Sequence, residues 1–233
     1  FKTVRGFGRS FAISEPIELG TGIRFTDFKL LALPSAAWTS FNAMLEMTTG
    51  YHVMIDHVYL DGNRQAKNAF LNTQEGFVRL TNCRAVRYTE KGYWLAASAE
   101  LTNCAGQQWT AADPEVLVQA DHTAYALYLT DEATDTRIIG GVYAYGASPL
   151  YVGYGVHHVA LIGTHLYNGL DPSTGPMTNA SIAEIYGYRI LFNGCYLDLG
   201  AINYYLDATN TDVDLEIVGC YSLYDASKST FAS

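Results

Sequence analysis

Carboxylates are the first residues to ask about chemistry. Asp131, Glu132 and Asp135 fall within five positions. Glycoside hydrolysis needs two carboxyl groups facing each other across the scissile bond, about 5 to 9.5 Å apart. These three are therefore the candidate catalytic acids, against the plainer reading of a solvated acidic bend. A second acidic group, Asp207, Asp212, Asp214 and Glu216, lies near the end of the chain. Elimination would ask instead for a base beside a uronic carboxylate and a cation to neutralise it. His165 as base, Tyr143 as acid and Arg84 as clamp form that alternative set. His157 and His158 are adjacent, so on a regular strand they face opposite sides. Calcium would find oxygen ligands at Asp131 and Asp135, yet no loop carries recognisable ligand spacing. No CxxC or Cys/His spacing suggests zinc. No cofactor is expected.

The composition narrows the partners. Fourteen basic residues stand against 23 acidic ones in 233, a net charge of −9. That balance excludes a phosphate-tracking nucleic-acid binder and a polybasic lipid binder. No apolar run approaches the roughly 20 residues of a membrane span, so no membrane insertion is expected. A charged fraction of 16% with 13% aromatic residues excludes a disordered chain. Tyrosine is in excess, 18 copies against 10 Phe. The chain opens on Phe1 with no signal-like segment and stops at Ser233 after a strand-like run. It reads as a processed chain or a fragment of a longer one.

The elements that must position these residues come from an internal repeat. Val78-Arg-Leu-Thr-Asn-Cys83 and Ala99-Glu-Leu-Thr-Asn-Cys104 are nearly the same. Looser copies occupy 23–28, 53–58, 159–164, 190–195 and 215–220, and a weaker one 137–142, where Arg137 takes an apolar place. The turn residues are Asp27, His57, Asn82, Asn103, Gly141, Gly163, Gly194 and Gly219. Asn and Gly tolerate the left-handed backbone that a sharp corner requires. Each copy has one short apolar run before it and one after it, and helical periodicity is nearly absent. Strands this short cannot bury a face alone, but stacked coils can. The expectation is an all-β chain, a single-stranded right-handed parallel β-helix of about eight coils, one domain over 1–233. A sandwich does not explain why the turn residue keeps its place in eight copies.

Alternation along a strand then assigns faces. Phe28, Val58, Cys83, Cys104, Val142, Thr164, Cys195 and Cys220 should point inward. All four cysteines share this position, as stacked free thiols without the mutual direction a disulfide needs. The next positions should point outward and include Tyr143, Tyr145, His165, Tyr167, Tyr196 and Tyr221. These six are the candidate substrate-binding stripe, because aromatic faces pack on sugar C–H surfaces. The competing reading is a contact with another subunit.

The Asn/Gly bends, V-M-I-D-H-V (53–58) leading into L-D-G-N (60–63), and V-R-G-F-G-R-S (4–10) resemble the pectate-lyase-like β-helix superfamily. Within it, the chain looks like a bacteriophage tailspike body. I-D-H at 55–57 is similar to a pectate-lyase motif, but the arginine-proline motif of those enzymes has no counterpart. Asn210-Thr211-Asp212 matches part of a polygalacturonase pattern that also needs an Asp-Asp pair, which this chain lacks. The resemblance implies a homotrimer on a virion tail or outside the cell, binding host surface polysaccharide with or without cleaving it. A secreted bacterial lyase or glycoside hydrolase, and a purely structural virion or adhesin solenoid, are the alternatives.

Overall fold

The repeat becomes two stacks of parallel strands. The computed structural model describes residues 2–73, 77–108, 124–144, 146–168, 170–171, 175–176, 181–198, 200–205 and 214–222. Among them there is no helix. Sheet A has fourteen strands and sheet B eight, all paired parallel, and a two-stranded antiparallel pair joins 170–171 to 175–176. Each repeat contributes its first run to sheet B, as in Lys91–Ala97 or Tyr125–Glu132. The second and third runs go to sheet A. In the first repeats they form one strand, such as Val53–Asp61. Later ones break at the turn residue, as in Val78–Thr81 followed by Arg84–Val86. An all-β parallel solenoid is the architecture.

Seven of the eight turn residues adopt φ between 51° and 63°, and in the remaining copy Gly140 at 64° and Gly141 at 85° are both positive. The corner is left-handed in every copy, which is why Asn, Asp, His and Gly recur there. Behind it, side chains stack in register. Phe25, Ile55, Leu80, Leu101, Ile138, Leu161 and Phe192 are paired rung to rung and all are buried. Each fully buried aliphatic group of this kind contributes about 1.5–3 kcal/mol.

One copy is displaced from the sequence reading. Arg137 pairs with Glu100, which pairs with Arg79, so the repeat begins at Thr136 and ends at Gly141. Thr136 is buried and bonds the Ala133 carbonyl, which lets a polar residue hold an apolar place. Gly140 is thus the corner, and Gly141 takes the inward place held by Cys104 below it. A Cβ at Gly141 would lie 1.9 Å from the Cys104 carbonyl oxygen. The inward assignment of Val142 is corrected: it is exposed.

The same shift turns Tyr143 inward. It pairs with Gly106, is fully buried, and packs edge-on against Tyr93 with ring centroids 6.1 Å apart. A Cβ at Gly106 would stand 3.3 Å from the Tyr143 ring, so the small residue below makes room for the large one above.

The other inward assignments hold. Val58, Cys83, Cys104, Thr164 and Cys195 are buried, while Phe28 and Cys220 are partly so. The four thiols are free. The Cys104 thiol beside it, and burial, push Cys83 well above the usual range, and burial pushes Cys195 up to about 11.

Candidate functional site

Asp131 and Glu132 close the strand Tyr125–Glu132 instead of occupying a bend. Their side chains lie outside the described residues. Asp135 sits at a positive-φ turn, 79% exposed, with Oδ1 3.8 Å from His158 Nδ1. Asp214 and Glu216 are exposed, and Asp207, Asp212 and the 109–123 insertion lie outside the described residues. Arg84 donates to the Gln107 side chain, and the inward turn of Tyr143 removes it both from the His165 set and from the outer stripe. His157 and His158 do not face opposite sides, since their ring centroids are 4.8 Å apart. His158 takes φ of 56°, and that interrupts the alternation.

Four members of the predicted stripe do come together on the outer face of sheet A. His165 lies between Tyr167 and Tyr196, with centroids 6.0 and 5.9 Å away, and Tyr196 stacks on Tyr221 at 5.5 Å. Tyr145 lies outside the described residues. Asp198, outward in the same row as Tyr167 by alternation, joins them: buried among them, its Oδ2 is 2.7 Å from His165 Nε2.

The larger aromatic surface is on sheet B, where the sequence reading placed no binding residue. Trp94 pairs in register with Tyr128, and Tyr128 with Tyr151. Trp94 meets Tyr128 edge-on at 6.0 Å, and Tyr128 stacks on Tyr151 at 4.6 Å. Tyr125 flanks both Tyr128 and Tyr151, at 5.2 and 5.4 Å. Tyr186 continues the run at 5.6 Å from Tyr151, touches Tyr154 at 4.8 Å, and stacks on Tyr205 at 4.3 Å. Seven rings are in continuous contact, Trp94, Tyr125, Tyr128 and Tyr151 on the strands and Tyr154, Tyr186 and Tyr205 just past strand ends. Tyr154 and Tyr205 are exposed, and the other five are half-buried. The signal was present in Trp94, Tyr128 and Tyr151, each one residue before a buried Leu or Val. Without a turn residue beside them, their common row could not be aligned.

Polar groups hold the ends of this ladder. Lys91 Nζ lies 4.3 Å from the Trp94 ring centroid and 4.9 Å from that of Tyr128. Its ammonium is 3.6 Å from Glu90, whose other oxygen is 3.0 Å from Lys67 and accepts from Ser40. Burial lowers the Lys91 pKa, opposed by Glu90. Burial works against the Glu90 carboxylate, but Lys67, Ser40 and Lys91 hold it below the usual range.

At the other end Glu184 takes the rung above Tyr151, and burial raises its carboxyl while the nearby Tyr125 phenol opposes the shift. Burial, and then Tyr205, push the Tyr186 phenol up to about 12. The arrangement offers ring edges, phenol hydroxyls and one half-buried carboxylate to a ligand lying along the axis.

No protein-family model matches this chain, and no curated protein does. A solved structure, "Geobacillus virus E2 - ORF18", is similar over 82% of this chain, with a TM-score of 0.43 and 13% identity. The chain spans about 40% of that structure's length. A likeness of this size assigns no function.

Proposed function

We propose that this solenoid binds polysaccharide along the outer face of sheet B, as the receptor-binding body of a bacteriophage tailspike. The single observation that carries the binding is the unbroken contact of seven aromatic rings from Trp94 to Tyr205. Neighbouring rungs lie about 4.8 Å apart, close to the length of one pyranose unit. A glycan laid along the axis would meet about one ring per sugar, at apolar ring edges with phenol hydroxyls in reach of its own, because the faces of Tyr128 and Tyr151 and of Tyr186 and Tyr205 are turned on one another. The right-handed coiling in about eight turns rests on the eight corner residues of the repeat, and the homotrimer and the place on a virion tail or outside the cell rest on the resemblance to tailspikes. His165, Tyr167, Tyr196 and Tyr221 make a smaller aromatic face that would meet a neighbouring subunit.

A second reading, an enzyme of the secreted lyase or hydrolase kind, is favoured by one pair. With Asp198 accepting from His165 Nε2, the ring's lone pair sits on Nδ1, where it would act as a base. Calorimetry against capsular polysaccharide and lipopolysaccharide from candidate hosts tests the binding. Reducing ends or unsaturated-sugar absorbance would mark cleavage. Binding without either product supports the receptor-binding reading, and no binding to any surface polysaccharide contradicts it.

A further inference from the structure

The aromatic row of sheet B is interrupted once. Trp94, Tyr128 and Tyr151 share one register position, and the next residue at that position is Glu184, followed by Asn203. The rings continue only by stepping two residues along the strands, to Tyr186 and Tyr205, whose backbones bond to Val152 and Ile185. A carboxylate therefore stands where the next ring would be, on the rung beside Tyr151. Such a carboxylate has about four acceptor positions and no donor.

Among the described residues, the lysines beside the ladder are committed elsewhere. Lys91 has 14% side-chain exposure, lies over two ring faces and is paired with Glu90. Lys67 is paired with the same carboxylate and with Ser40.

We infer that Glu184 is the specificity-determining residue of the ladder: it accepts hydroxyls from a neutral sugar seated against Tyr151 and disfavours one that bears its own carboxylate. The inference rests on the ladder being the glycan site. Two carboxylates brought together at a partly desolvated rung repel one another. The ligand class is thus a neutral, hydroxyl-rich polysaccharide, at least at the sugar beside Glu184.

The test uses the full chain and a panel of neutral hexose polymers, each also oxidised at C6 to its uronate form. Calorimetry is expected to show at least one neutral polymer bound, with its oxidised form weaker by about tenfold or more. Glu184→Gln keeps the shape and removes the charge, so it should bring the two forms within about threefold of each other. Oxidised polymers that bind the unaltered chain as well as neutral ones would overturn the inference while leaving the ladder standing. A gap that persists in Glu184→Gln would overturn it equally. Failure of every polymer to bind would overturn the ladder reading and this inference together.

Discussion

Tyr128 and Tyr151 stack face to face on consecutive strands of sheet B, their ring centroids 4.6 Å apart and their planes 14° from parallel. Their strands pair in register, so the stacking repeats the rung spacing of the sheet. Trp94 and Tyr125 extend the contact below and beside them, Tyr186 above. A surface of this kind is rigid before any ligand arrives, so ordering it costs little on binding.

Removing single rings should weaken polysaccharide binding without unfolding the chain. Tyr151→Ala and Tyr186→Ala are each expected to cost about 1 kcal/mol or slightly more, five- to tenfold in affinity. Tyr154→Ala, at an exposed flank, should cost less. Titration calorimetry with one polysaccharide reads all three, and far-UV circular dichroism should be unchanged.

The corner at 140–141 is expected to be the least tolerant position of sheet A. Gly141→Ala places a methyl against the Cys104 carbonyl oxygen at a φ of 85°. The loss should exceed about 2 kcal/mol in urea unfolding. Gly194→Ala, also at positive φ but with nothing within 4 Å of the added carbon, should cost less, about 1 kcal/mol.

The thiols should react in an order set by depth. Cys220 is partly exposed and should alkylate first at pH 8, whereas Cys83 and Cys104 should react only after unfolding. Cys195, raised to about 11, presents about one thiolate in a thousand at pH 8. Peptide mass spectrometry after timed iodoacetamide treatment checks the order. Denatured, unreduced protein should take up four labels, and a disulfide at Cys83 would refute the stacked free thiols.

Stability should carry an acid-side signature from sheet B. Burial raises the Glu184 and Glu46 carboxyls on folding. A carboxyl raised on folding stabilises the fold below its unfolded value, about 4.3, and that contribution is lost as pH rises through the folded value. Glu184→Gln and Glu46→Gln should therefore raise the melting temperature at pH 7, by about 1–3 °C, and lose most of that gain at pH 4. Glu90 is held low by Lys67, Ser40 and Lys91, so Glu90→Gln should do the opposite and destabilise at pH 7.

The solenoid was legible in sequence wherever the corner residue announced itself. Asn82-Cys83 and Asn103-Cys104 supply both a left-handed bend and an inward thiol, and the remaining copies align on them. The copy at 136–141 slipped by one because Thr136 is a buried polar residue and two glycines compete for the corner. That single step moved Tyr143 from the surface to the core. The sheet B ladder was not legible, since Trp94, Tyr128 and Tyr151 have no corner residue to fix their register and the rings sidestep at Glu184. Asp198 under His165 depends on contact between neighbouring rungs, which strand alternation does not reveal.

The most direct test is the affinity of the double variant Tyr128→Ala/Tyr151→Ala for a host surface polysaccharide that the unaltered chain binds, beside the control Tyr196→Ala/Tyr221→Ala on sheet A. Loss of about thirtyfold or more in the first pair, with less than about threefold in the second, is the expected result. Unchanged affinity in a folded Tyr128→Ala/Tyr151→Ala chain would contradict polysaccharide binding on the sheet B ladder.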